Sequence, residues 1–274
     1  MTGFVNEWAI IRNTLVPVMK DPHFQSEQAD EGLFGMVVQI KGEAKDGWLY
    51  VKTHYDYYGY MHKDHLLIDR EEALRWKEKA NHFLIYAMAD VMAEPKYATY
   101  PVAFLTRGAL VQVEDKIEKD WIQVILPYGR KGWIRKNFVR KMEKISPQNH
   151  ENQLRENLVD MALSYLGTQY RWGGKSPMGI DCSGLCSMAY MLNGIIIYRD
   201  AVLKEEYMRK IEREDMKPGD LLFFPGHVAM YIGDDRYVHA TGREGSVVIN
   251  SLNPAHGDYR EDLAKNITGI GTIF

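Results

Sequence analysis

Asp181-Cys182-Ser183-Gly184, Gly226-His227 and Tyr237-Val238-His239-Ala240 place one thiol and two imidazoles in three separated contexts. Each context reads as the edge of a regular element. A cysteine nucleophile needs a histidine base and a third group to orient that base. From Ser183 to Met191 the residues are small or apolar, which predicts a buried helix with Cys182 in its first turn. There the helix dipole and free backbone N–H groups favour a thiolate and can hold an oxyanion. Gly184 permits close backbone approach. Lys217-Pro218-Gly219-Asp220 reads as a turn feeding the strand Leu221-Leu222-Phe223-Phe224, and Pro225-Gly226 as a second turn delivering His227. Val228 to Ile232 and Arg236 to His239 then read as strands, so that a hairpin can turn both histidines toward the helix. In this reading Cys182 is the nucleophile, His227 the general base and His239 the orienting residue.

Cys186, the one other cysteine, lies among Leu185, Met188 and Ala189 and reads as a core thiol. Cys-x-x-x-Cys is not the redox spacing, and two thiols without a partner cluster make a poor zinc site. No metal or other cofactor is implied. The formal charge of −3, from 34 basic and 37 acidic residues, gives no polycationic surface for nucleic acid. Seventeen tyrosines against nine phenylalanines suit a polar ligand surface. Met1 to Pro17 lacks a signal-peptide pattern, and no window reaches a membrane span. The expectation is a soluble, cytoplasmic chain without a membrane partner, or an exported one if a leader has been removed.

The first half carries a diverged repeat at an offset of 73 residues: Gly35 matches Gly108, Trp48 matches Trp121, Gly59-Tyr60 matches Gly132-Trp133, and Lys63 matches Lys136. Alternation such as Trp121-Ile122-Gln123-Val124, broken by polar turns, predicts short strands closed into a small barrel in each copy. Arg70 to Met92, rich in Glu, Ala, Lys and Leu, predicts one or two helices packed against a barrel. Lys144 to His150 is a polar boundary signal, after which Gln153 to Leu166 reads as an amphipathic helix.

Together these motifs resemble the NlpC/P60 family of cysteine peptidases. The Asp-Cys-Ser-Gly, Gly-His-Val-x-x-Tyr-x-Gly and His-Ala signatures fall on Asp181–Gly184, Gly226–Gly233 and His239-Ala240, with Tyr-x-Trp-Gly-Gly at Tyr170–Gly174. The resemblance implies an α+β fold, a papain-like catalytic domain over 150–274 preceded by two small SH3-like β-barrels. These would span 1–70 and 93–143, with a helical connector over 71–92. It further implies that Tyr170 lies beside the thiol and helps shape the transition-state pocket.

The whole arrangement is similar to the γ-D-glutamyl-L-diamino acid endopeptidases of that family. This implies a murein-derived peptide, L-Ala-γ-D-Glu-L-diamino acid, as the molecular partner. Glu27 (with Glu31 as a rival), Tyr57 and Asp181 would then read its free amino group, and Ser183 would hydrogen-bond to it. Ala201 departs from the serine common in the family. Two other readings are a secreted wall-lytic endopeptidase acting on attached stems, and a binding protein on an inactivated scaffold.

Overall fold

In the computed structural model, residues 4, 6–143 and 150–274 are described, and the boundary signal at 144–149 lies outside them. The chain divides into two compact units, Met1–Met142 and Glu143–Phe274. Among the described residues no helix is long and apolar enough to cross a membrane.

The first unit holds two sheets of seven strands each. The first contains β1 (Trp8–Ile11), β2 (Leu15–Met19), β3 (Gln28–Leu33), β4 (Val37–Glu43), β5 (Trp48–Lys52), β6 (Tyr58–His62) and β7 (Leu66–Ile68). Its order is β3-β2-β6-β5-β4-β1-β7. Helix α1 (Arg70–Lys79) follows, and then the second sheet. That sheet contains β8 (His82–Leu84), β9 (Met88–Met92), β10 (Pro101–Thr106), β11 (Leu110–Glu118), β12 (Trp121–Ile125), β13 (Lys131–Arg135) and β14 (Val139–Lys141). Its order, β10-β9-β13-β12-β11-β8-β14, reproduces the first strand for strand.

The expectation of two closed barrels is corrected: both sheets are open, and no ladder joins β3 to β7 or β10 to β14. Alternating apolar residues with frequent turns satisfy an open, curled sheet as well as a closed one. Edge exposure is limited here by shortness, since β7 and β14 are three residues long. The expected helical span over 71–92 is also corrected, because the helix ends at Lys79 and the remainder holds the strands β8 and β9. In β9 exposure alternates, with Ala89 and Val91 buried and Met88 and Asp90 exposed, a period of two that tertiary pairing selects over helix-favouring composition.

Helix α1 is packed, not a free linker. Asp69 caps it by accepting from the Glu72 amide at 3.0 Å. Its apolar side, Ala73, Trp76 and Ala80, packs on Ile10 and Val37 of the first sheet. The Trp76 indole donates to the Gly35 carbonyl at 2.7 Å, satisfying its one polar atom.

The second unit begins with α2 (Glu151–Leu163), shorter than the span to Leu166, which is exposed. A small hairpin, β15 (Lys175–Ser176) and β16 (Gly179–Ile180), leads into α3 (Cys182–Met191). Six antiparallel strands form one sheet: β17 (Arg209–Ile211), β18 (Leu221–Phe224), β19 (His227–Gly233), β20 (Arg236–Thr241), β21 (Ser246–Ser251) and β22 (Gly269–Thr272). They run in the order β17-β22-β18-β19-β20-β21, and the short helix α4 (Glu261–Ala264) precedes β22.

The Lys217–Asp220 turn is wired to α2. Asp220, wholly buried, accepts from the Lys217 amide at 2.8 Å and from the Arg155 guanidinium at 2.9 Å. Arg155 also donates to the Pro218 carbonyl at 2.8 Å, and the Tyr190 hydroxyl of α3 donates to the Gly219 carbonyl at 2.5 Å. Two helices thus fix the turn that starts β18, the strand hydrogen-bonded to the one that opens on His227.

The repeated glycines of the first unit have a steric cause. A Cβ on Gly59 would stand 2.5 Å from Val18 Cγ1 and 2.8 Å from the Met19 carbonyl oxygen. On Gly132 it would stand 2.4 Å from Val91 Cγ1 and 3.1 Å from the Met92 carbonyl oxygen. Gly59→Ala and Gly132→Ala should each lower stability by about 1–3 kcal/mol, read as a lower urea midpoint at unchanged m-value. A wild-type midpoint for either variant would show that the strands part freely to admit a methyl group.

Candidate active site

Helix α3 begins where Asp181 turns the chain. Its backbone is extended, and its carboxylate accepts from the Gly184 amide at 2.5 Å, an N-cap that places Cys182 at the first helical position. A Cβ on Gly184 would lie 2.1 Å from the Gly174 carbonyl oxygen, so glycine is required for the Trp172-Gly173-Gly174 turn to lie against the helix start. Burial raises the Cys182 thiol to about 11, with the Asp181 charge adding to the effect and amide hydrogen bonds from Val228 and Ser183 opposing it. The thiolate expected from the helix dipole is therefore outweighed, and the resting sulfur is a neutral thiol. Cys186 is buried as expected, and burial holds its thiol well above the ordinary value.

His227 opens β19 and His239 sits wholly buried in β20. His227 Nε2 and His239 Nδ1 are 2.7 Å apart, which joins the two imidazoles across neighbouring strands. Burial pushes His227 down to about 3, helped by His239 and Arg260. Burial likewise lowers His239, against the raising effect of its hydrogen bond to Asn250. Both rings are neutral at neutral pH. On the far side of the pair, His239 Nε2 is 2.8 Å from Asn250 Oδ1.

Tyr170 forms a β-bridge with Ile180, two residues before the thiol. Its phenol is raised to about 12, mainly by burial and then by its neighbours Cys182, once ionised, and Asp181. Its hydroxyl stays protonated near neutrality and can donate a hydrogen bond.

Asp181 and Ser183 are engaged within the fold. Arg199, 2% exposed, forks onto both Asp181 oxygens at 3.1 and 3.0 Å and donates to the Ser183 hydroxyl at 2.7 Å. Ser183 in turn donates to Asp181 Oδ1 at 3.1 Å. Arg199 and Asn250 were not singled out from sequence. Arg199 lies 18 residues from its carboxylate, and a basic residue in an irregular segment carries no local signal. Asn250 was findable in principle, since Val248 pairs with His239 and Asn250 is two residues along the same strand face.

The structure thus brings Cys182, Asp181, Ser183, Tyr170, His227 and His239 into one region of the second unit. Glu27 and Tyr57 belong to the first unit. Glu27 is an exposed residue immediately before β3 and pairs with Lys20 at 3.3 Å. Its rival Glu31 is buried within β3. Tyr57 directly precedes β6, and its amide donates to Thr53 Oγ1 at 3.1 Å. Among the described residues no cluster of His, Cys, Asp and Glu is placed to hold a metal ion.

Residues 167–263 match the NlpC/P60 family and residues 18–66 the bacterial dipeptidyl-peptidase Sh3 domain. Dipeptidyl-peptidase 6 of Lysinibacillus sphaericus is 44% identical over 271 residues, covering 97% of this chain and 99% of that protein. The gamma-D-glutamyl-L-lysine dipeptidyl-peptidase of Bacillus cereus is 30% identical over 247 residues, 81% of this chain and 70% of the relative. The crystal structure of an NlpC/P60 family protein from Bacillus cereus covers 96% of this chain and 98% of its own at a TM-score of 0.80, which at 21% identity shows a shared fold. A helix capped by Asp181 and starting at Cys182, an imidazole pair on the strands packed against it and a relative matched from end to end make this chain a member of the NlpC/P60 family of cysteine peptidases, with an SH3-like accessory domain.

Proposed function

We propose that this protein hydrolyses the γ-D-glutamyl-L-diamino acid bond of short murein peptides that carry a free N-terminal L-Ala. The reading is carried by the end-to-end match to a dipeptidyl-peptidase, since it extends through both units and not through the catalytic motifs alone. The Bacillus cereus relative is a gamma-D-glutamyl-L-lysine dipeptidyl-peptidase, which supports the choice of bond.

In this mechanism Cys182 attacks the amide carbonyl while His227 takes the thiol proton. A neutral thiol and a neutral imidazole make this transfer part of the attack, as general-base catalysis, not a prior ionisation. His227 then returns the proton to the leaving amine of the diamino acid, and water, deprotonated by the same imidazole, cleaves the thioester. His239 orients the imidazole. Amide groups at the start of α3, with the Tyr170 hydroxyl, hold the oxyanion. We assign substrate contacts to Glu27 and Tyr57 in the first unit and to Asp181 and Ser183 in the second, with a carboxylate meeting the terminal ammonium. A free α-amine left unpaired in a desolvated site would be costly, so this set favours free peptides over stems still bound to muramic acid.

Cys182→Ser should keep the wild-type melting temperature while losing at least about 1,000-fold in kcat/KM on L-Ala-γ-D-Glu-L-Lys. Turnover equal to wild type would remove Cys182 from the chemistry.

The same peptide acylated at its amino terminus should react at least about 100-fold more slowly, and Glu27→Gln should narrow that gap mainly through KM. Equal rates on free and acylated peptides, or release of stems from intact sacculi, would favour the wall-lytic alternative.

Because the thiol is raised, its reactive fraction should keep growing with pH. Alkylation of Cys182 by iodoacetamide, followed by mass spectrometry, should accelerate roughly tenfold per pH unit from 6 to 9, with Cys186 spared. A rate already flat above pH 6 would instead reveal a preformed thiolate–imidazolium pair.

A further inference from the structure

The Cys182, His227 and His239 assignment leaves open which nitrogen of each ring carries its proton. A side-chain amide has one donating and one accepting end. Asn250 Nδ2 donates to the Asp258 carbonyl at 3.1 Å, and a carbonyl can only accept. Asn250 Oδ1 is therefore the end that meets His239 Nε2 at 2.8 Å, and that nitrogen must carry the hydrogen. A neutral imidazole has a single N–H, so His239 Nδ1 presents a lone pair. His227 Nε2, 2.7 Å away, must then be the donor, which leaves the lone pair of His227 on Nδ1.

The far end of this chain is held firmly. The Asp258 carbonyl also accepts from the Ser251 amide at 3.0 Å, and the Arg236 guanidinium holds the Asp258 carboxylate at 2.6 Å. Arg260 N donates to the Ser251 carbonyl at 3.1 Å, closing the segment back onto β21. A carbonyl fixed at this point dictates the orientation of the amide.

We propose that Asn250 is a positioning residue: anchored by the Asp258 carbonyl, it sets the tautomer of His239 and, through it, that of His227, so that Nδ1 of His227 is the nitrogen that receives the thiol proton. The inference rests on the catalytic reading above for its kinetic consequence, but not for the tautomers themselves. When His227 takes a proton on Nδ1 it keeps its Nε2 donor bond to His239, and no proton needs to leave the ring pair. With the opposite tautomer Nδ1 would already be protonated and could not act as base.

The charged and titratable groups bearing on the pair are Arg260, Glu244 and Asp262 on His239, and Arg260, Asp181 and Asp262 on His227. The Tyr237 ring lies 5.1 Å from that of His239. Asn250 itself brings no charge, so an isosteric carboxylate there is a sharp probe. In Asn250→Asp the new charge stabilises a doubly protonated His239. That ring donates from Nδ1, obliges His227 Nε2 to accept, and moves the His227 proton to Nδ1.

Long-range 1H–15N NMR on the wild-type protein labelled in histidine reads both tautomers directly and needs no variant to fold. Nε2–H is expected at His227 and at His239, and Nδ1–H at either overturns the proposal. In kinetics on L-Ala-γ-D-Glu-L-Lys, Asn250→Ala should lose roughly 10- to 100-fold in kcat with KM changed less than about twofold. Asn250→Asp should move the acidic limb of the kcat profile upward by at least about one pH unit. A purely structural asparagine would lower the melting temperature of both variants and leave the pH profile in place, which would also overturn it. If wild-type enzyme fails to turn over the peptide, the catalytic reading falls while the NMR result still decides the tautomers.

Discussion

The buried contact between Arg199 and Asp181 is the constraint around which the catalytic unit is arranged. Removing both charges from water is costly, and only a fork geometry with further hydrogen bonds offsets it. Asp181 meets that requirement by also capping α3 and accepting from Ser183. One carboxylate therefore sets the helix start, the sulfur position and the Ser183 orientation together. It has a chemical side effect, because a negative charge beside the sulfur opposes the thiolate that the helix dipole favours. Burial is the larger effect, and the balance lies on the side of the neutral thiol.

The catalytic elements were legible because their signals are short and local. Turn residues at Pro225-Gly226, apolar strands on either side and a small-residue run after Cys182 give the helix and the hairpin directly, and the observed strands and helix follow them. Legibility failed where pairing over long distances decides. Whether seven short strands close or stay open depends on whether the end strands meet, and alternation within each strand is silent on that. His82 to Met92 looked helical by composition, yet these residues complete the second sheet by pairing with β11, β14, β10 and β13. Extending the 73-residue offset upstream would have corrected this, since it maps Met88–Met92 onto Leu15–Met19. Arg199 and Asn250 escaped for the same reason, their partners being remote in sequence.

The two sheets of the first unit show what a duplication keeps. Phe24, Trp48 and His62 cluster in the first copy, with ring centroids 4.8 to 5.7 Å apart. The same offset gives Tyr97, Trp121 and Arg135 in the second, with the guanidinium 5.6 Å from the Trp121 ring. The tryptophan and the close-packed glycines persist, while the residues covering them have changed chemistry. Packing constraints are thus retained where surface constraints are relaxed.

The neutral resting state of the thiol has a consequence for durability. Peroxides and disulfides attack or capture thiolates, and a protonated sulfur is a poor target for either. The burial that holds Cys182 as a thiol therefore also makes it a poor target for oxidants. Cys186, one helical turn away, is itself buried and more strongly held as a thiol, so it is a poor resolving partner. Slow oxidation of Cys182 is the outcome expected of burying the start of α3.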